Sequence, residues 1–144
     1  MVPLAVGAVV VVATIVIHAL ALFATISLFR HEKRTGRAGK TSMKDFAIVS
    51  LVMGFAFVAH VIEIGLWAML FMICGEFQQF GWAYYHSAVN YTTLGYGDVI
   101  MSPAWRMLGP LEAADGALMF GVSTAMIFAV IQSLVTARYR DLRD

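Results

Sequence analysis

Three long apolar runs, separated by polar breaks, dominate the chain. The first covers residues 2–29, and its only charge-capable side chain is His18. A helix needs about 20 residues to cross a hydrocarbon core about 30 Å thick, so this run predicts a transmembrane helix, TM1. Its positive charges follow the apolar run instead of preceding it, unlike those of a cleavable signal peptide, and TM1 is expected to stay in the protein. Residues 45–74 predict a second span (TM2) and residues 111–136 a third (TM3). The pattern changes between TM2 and TM3. Residues 75–81 form a polar connection, and residues 82–92 an amphipathic stretch of about eleven residues, too short to cross as a helix. A glycine-rich turn follows, then residues 99–109 with Pro103 and Arg106. Irregular backbone between two spans predicts a re-entrant segment, tolerated only where it is buried in protein or lines a water-filled cavity.

Charge fixes the expected orientation. Arg30, Lys33, Arg34, Arg37, Lys40 and Lys44 face only Glu32 after TM1, and Arg138, Arg140 and Arg143 follow TM3. By the positive-inside bias both clusters are cytoplasmic, which leaves the N-terminus and the re-entrant segment on the outer side. The basic loop reads as a solvated linker, with binding of anionic lipid headgroups as the sharper alternative. Composition agrees: 60% hydrophobic and 13% charged residues in 144 exclude an ordinary soluble domain and leave room for one domain of a few spans. A lone cysteine, Cys74, excludes an intramolecular disulfide and a cysteine metal cluster within one chain.

The turn after the short stretch reads Thr93-Leu94-Gly95-Tyr96-Gly97-Asp98. An alkali ion crossing a membrane must lose its water to rings of oxygen that bind it well but not too well. Successive carbonyls point toward one axis when alternate residues adopt left-handed backbone, which glycine does without penalty, and Gly95 and Gly97 are spaced for that. Thr93 can add its hydroxyl. Tyr96 would point away and brace the strand. The short helix of residues 82–92 would aim its partially negative C-terminal end at the ion.

Residues Tyr91-Thr92-Thr93-Leu94-Gly95-Tyr96-Gly97-Asp98 resemble the filter sequence of the tetrameric potassium-channel pore family. The T-x-G-Y-G-D form is specific, and the order outer helix, pore helix, filter, inner helix maps onto TM2, residues 82–92, residues 93–97 and TM3. The resemblance spans residues 45–136 and leaves TM1 outside. It implies an all-α membrane protein of three transmembrane helices with a re-entrant pore helix and filter loop, assembled as a fourfold homotetramer in lipid. It implies passive K+ permeation, with K+ held at Thr93, Leu94, Gly95 and Tyr96, Gly97 completing the filter and Asp98 at the outer mouth. No enzymatic activity, cofactor or nucleic-acid partner is expected. The organisation expected is TM1 at 1–29, a basic loop at 30–44, a pore domain at 45–137 (outer helix 45–74, pore helix 82–92, filter 93–98, inner helix 111–137) and a basic tail at 138–144, in the plasma or inner membrane.

Gly116, with Gly121 five residues later, matches the family's inner-helix hinge. The spacing of Phe120, Thr124 and Phe128 would place them on the ion pathway, against ordinary packing as the alternative. Tyr85 and His86 stand where many members carry paired tryptophans, Val89 where some carry a carboxylate, and Leu94 where valine is commonest. His60 and Glu63 share one face of TM2 and should point into the protein, as an interhelical hydrogen-bonded pair or as a pH-sensitive pair. His18, His60 and His86 form a remote candidate set for haem or metal. Glu112 and Asp115 read as stabilisers of the start of TM3 or as acidic groups at the mouth. TM1 carries no voltage-sensor repeat and is expected to lie peripherally against TM2. A weakly selective cation channel, an ion-coupled transport subunit and a non-conducting membrane protein are the rival functions.

Overall fold

The computed structural model describes residues 1–35 and 42–139. Arg37, Lys40, Arg140 and Arg143 lie outside the described residues. Four helices follow in order: α1 (Val2–Arg34), α2 (Ser42–Ile73), α3 (Phe80–Tyr91) and α4 (Leu108–Arg138). No strand occurs among the described residues. Three of the helices, α1, α2 and α4, are long and apolar enough to cross a membrane. Their form follows from the solvent: with no water to satisfy peptide groups, a spanning segment must make its hydrogen bonds within itself.

The helix ends differ from the sequence reading by up to five residues: α2 begins at Ser42 and α3 at Phe80, and the end of α1 and the start of α4 also move. The α1 helix continues through Arg34, so Arg30, Lys33 and Arg34 sit on its last turns instead of in a loop, where cations complement the negative end of the helix dipole. The α4 helix begins at Leu108, three residues before the expected 111, with Pro110 still in the first turn, where a missing N–H costs nothing. The C-terminal end of α2 is a Schellman cap. Gly75 takes φ of 78°, its N–H reaches the Met72 carbonyl at 3.0 Å, and the Glu76 N–H reaches Phe71 at 3.0 Å.

The α3 helix, of 12 residues, packs between α2 and α4. At about 1.5 Å per residue it spans only about 18 Å. An apolar cluster around Trp67, Phe71, Tyr91 and Leu108 joins it to its neighbours, while Ile48, Val52, Val130 and Leu134 join α2 to α4 near the other end. The α1 helix packs on α2, as expected, and on α4 as well. The two helices approach closely at Gly7, where a Cβ would lie 2.4 Å from the tip of the Leu111 side chain on α4.

Candidate functional site

Two arrangements meet at the C-terminal end of α3. The first is the backbone that leaves it. Thr93, Gly95 and Gly97 have φ of 61°, 60° and 71°, so left-handed residues alternate along the turn. For glycine this costs little, but Thr93 is β-branched and the one non-glycine with positive φ among the described residues. A left-handed residue with a Cβ costs about 1–2 kcal/mol, and strain of this kind concentrates at functional sites. The helix end holds the turn in place: Thr93 N–H donates to the Asn90 carbonyl at 2.8 Å, and the Leu94 and Gly95 N–H groups donate to the Val89 carbonyl at 3.0 and 3.2 Å. Residues 93–98 are exposed in the single chain, Tyr96 at 68%.

Side chains of α3 also hold the segment after the turn. Tyr85 donates its hydroxyl to Asp98 at 2.7 Å. That bond holds the Asp98 carboxyl below its usual range and pushes the Tyr85 phenol up. His86 donates from Nδ1 to the Val99 carbonyl at 2.9 Å, and its Nε2 accepts from the Asn90 amide at 2.9 Å. Burial pushes the imidazole down, toward the neutral form this pairing uses. Further out, Glu76 accepts from both the N–H and the hydroxyl of Ser102 at 2.6 Å. Tyr85 and His86 thus link the short helix to the segment beyond the turn, a role that their sequence positions did not announce.

The second arrangement is a buried polar cluster behind the turn. Glu63 is fully buried and is paired with His18 at 3.0 Å and His60 at 3.4 Å. Tyr91 donates to its other oxygen. Asp115, also buried, accepts from Thr14 at 2.9 Å and from the Trp67 indole at 2.9 Å. Glu112 lies 2.5 Å from the Ser87 hydroxyl, and its Oε2 has no hydrogen-bond partner. Glu112 and Asp115 are therefore neither mouth groups nor helix-end stabilisers: α4 starts earlier than expected, and both turn inward toward α1, α2 and α3. His86 lies apart from His18 and His60, so the three-histidine set is not assembled. His18, Thr14, Tyr91 and Ser123 were the members that sequence reasoning did not connect.

The inner-helix candidates divide. Gly116 sits against the end of α3, where a Cβ would lie 2.0 Å from the Tyr91 carbonyl oxygen; Gly121 has nothing within 4 Å. Phe120 turns its ring onto His60 at 4.4 Å and Tyr91 at 5.6 Å between centroids, whereas Thr124 and Phe128 face outward from the chain. All three are exposed in the single chain, Phe120 less so than Phe128, because one side of its ring is covered by His60 and Tyr91.

Three spanning helices around a short helix and a bound turn define a multi-pass helical membrane protein with a re-entrant segment. The chain belongs to the ion channel family, whose model matches residues 48–133, from early α2 through most of α4. No curated protein and no solved structure matches the chain. The α1 helix lies outside the family match.

Proposed function

We propose that four copies of the chain assemble around a fourfold axis into a potassium-selective channel that conducts K+ down its gradient. Thr93, Leu94, Gly95, Tyr96 and Gly97 would form the filter, with backbone oxygens replacing the ion's water and Asp98 drawing cations to the outer mouth. The observation that carries this reading is the two-residue alternation of left-handed backbone at Thr93, Gly95 and Gly97. Alternation turns successive carbonyls to one side, and one strand alone cannot enclose an ion, so symmetry-related copies must close the ring. The exposure of residues 93–98 in the single chain is compatible with it, since those residues are left uncovered by the chain's own helices.

The orientation follows the charges. Lys33 and Arg34 end α1, Lys44 begins α2, and Arg138 reaches Asp45 at 2.5 Å, so the basic ends of the three long helices lie together. That end faces the cytoplasm of a plasma or inner membrane, with the filter near the opposite face. Ion flux into vesicles of reconstituted protein, comparing K+, Rb+ and Na+, tests the reading. K+ and Rb+ should pass and Na+ should be excluded. Gly95→Ala, forced to φ of 60° with a Cβ, should lose selective flux. Equal Na+ flux would leave a weakly selective cation channel, and a mass other than four chains would remove the filter as described.

A further inference from the structure

Five buried side chains from all four helices close into one hydrogen-bonded ring. His18 Nδ1 lies 3.0 Å from Glu63 Oε1, and Tyr91 donates to Glu63 Oε2. His60 Nδ1 lies 3.1 Å from the Tyr91 hydroxyl. The Nε2 atoms of His60 and His18 both approach the Ser123 hydroxyl, at 3.1 and 3.0 Å. Each of these links needs one hydrogen. With Glu63 ionised and both imidazoles neutral, the members supply one hydrogen fewer than there are links, because Tyr91, His18, His60 and Ser123 bring one each.

The position of the missing hydrogen can be deduced. Tyr91 donates its hydrogen to Glu63, and the same carboxylate lies 3.0 Å from His18 Nδ1 and 3.4 Å from His60 Nδ1, so the negative charge favours the Nδ1–H form of both imidazoles, with His60 donating toward Tyr91. Both Nε2 atoms are then acceptors facing a hydroxyl with a single hydrogen. One Ser123 contact sets lone pair against lone pair, and the ring carries an uncompensated negative charge away from water. One added proton repairs both faults. It can rest on an imidazole Nε2, opposite the Glu63 carboxylate, or on Glu63 with the direction of the donors reversed between Glu63, Tyr91 and His60. In either form every link has its hydrogen and the net charge is zero.

We propose that this ring is a proton-binding site, taking one proton per chain, and that its occupancy sets how firmly α4 is held to α1 and α2. The other ionisable groups beside it are Asp115, held by Thr14 and Trp67, and Glu112, beside Ser87. An ionised Asp115 places a second negative charge near an empty ring and so adds to the cost of emptying it. The link that fails on deprotonation is at Ser123, between α4 and the histidines of α1 and α2. Tyr91, at the opposite side of the ring, lies two residues before Thr93, so both the inner helix and the base of the filter feel the change. His18, His60 and Glu63 also bring ligand atoms within 4.8 Å of one another, a spacing that a transition metal could use. Every one of those atoms already has a hydrogen-bond partner, and both Nε2 atoms turn to Ser123, so the proton is the occupant this geometry serves.

Glu63→Gln separates this from a merely structural role. A carboxamide has the shape of the carboxylate, donates one hydrogen to the ring and is neutral, so it reproduces the protonated state permanently. Purified full-length protein in lipid vesicles should lose stability as pH rises above about 7, where the ring keeps a proton that an unfolded chain has released, at up to about tenfold in the unfolding equilibrium per pH unit. Glu63→Gln should remove that slope while staying folded. Ser123→Ala, which deletes the link that needs the extra hydrogen, should weaken the alkaline loss. On the channel reading above, K+ flux in the wild type should change by about tenfold between pH 6 and 9 and in Glu63→Gln not at all. Absence of flux at every pH would reject that reading alone, because the stability profile still reports on the ring. A wild-type stability profile parallel to that of Glu63→Gln, a Glu63→Gln protein that does not fold, or one bound zinc per chain that disappears in the variant would each overturn the proposal.

Discussion

Gly116→Ala is the most direct probe of how α4 is joined to the end of α3 and the turn that follows it. A methyl group there would lie 2.0 Å from the Tyr91 carbonyl oxygen, 2.9 Å from its carbon and 3.1 Å from the ring. The obstructing atoms are backbone, so no rotamer change relieves the contact. Reaching an ordinary separation of 3.4 Å means moving α4 and the end of α3 apart by roughly 1.4 Å. Overpacking of this kind costs about 1–3 kcal/mol or more, against a gain of at most about 1 kcal/mol from replacing glycine in a helix. The net expectation is a loss of about 1–2 kcal/mol, together with a displaced Tyr91 and impaired flux. Gly54→Ala on α2, where a Cβ meets nothing within 4 Å, serves as the control and should be neutral or stabilising. Thermal unfolding in detergent and flux in vesicles provide the two readouts. If Gly116→Ala matched Gly54→Ala in stability and altered only the opening of the channel, then the glycine would be there for bending and not for close approach.

Two further perturbations test the ends of the molecule. Tyr85→Phe removes the hydroxyl that holds the Asp98 carboxyl low. Because the folded group is depressed, its charge persists above the ordinary carboxylate range and is lost only as pH falls through the lowered value. On the proposed channel reading, acid block of K+ current from the side of the turn should therefore begin at a higher pH in Tyr85→Phe than in the wild type, and superimposable profiles would show that Asp98 does not act at the mouth. At the other end, Arg138→Gln breaks the pair with Asp45 and the bond to Ser42. Both partners are partly exposed, so the cost should be under about 1 kcal/mol and should shrink in high salt. A double-mutant cycle with Asp45→Asn measures it, and a coupling that ignores salt would contradict the assignment.

The parts of this molecule legible in its sequence are those set by local pattern. Apolar runs longer than a bilayer is thick announce α1, α2 and α4, and the glycine spacing at Gly95 and Gly97 announces a backbone that must alternate. The ends of the helices were less legible, because hydropathy falls where Arg30, Lys33 and Arg34 begin although the helix does not. Thr93 was read for its hydroxyl and not for its φ, since nothing in a threonine signals a left-handed residue. Spacing put His60 and Glu63 on one face. It could not supply their partners, because His18 lies 45 residues from Glu63 and Ser123 lies 105 from His18. A single serine or histidine inside an apolar run has no pattern that names the helix it will meet.

That same cluster gives α1 a reason to exist. The α2, α3 and α4 helices would suffice to carry the turn at residues 93–98, yet without α1 they would leave Glu63, Asp115 and Ser123 each short of a hydrogen-bond partner. Ionisable groups at the centre of a membrane helix each cost about 2.5–3.5 kcal/mol on insertion scales. The α1 helix covers them and answers them: Thr14 reaches Asp115, and His18 bridges Glu63 and Ser123. It approaches α4 closely at Gly7, at the level of Leu111. The polar groups and the added helix therefore require each other. Removing α1 strands the carboxylates, and replacing the carboxylates with apolar residues removes the polar part of what α1 holds on to. The helix outside the family match is in this sense part of the ion channel's core.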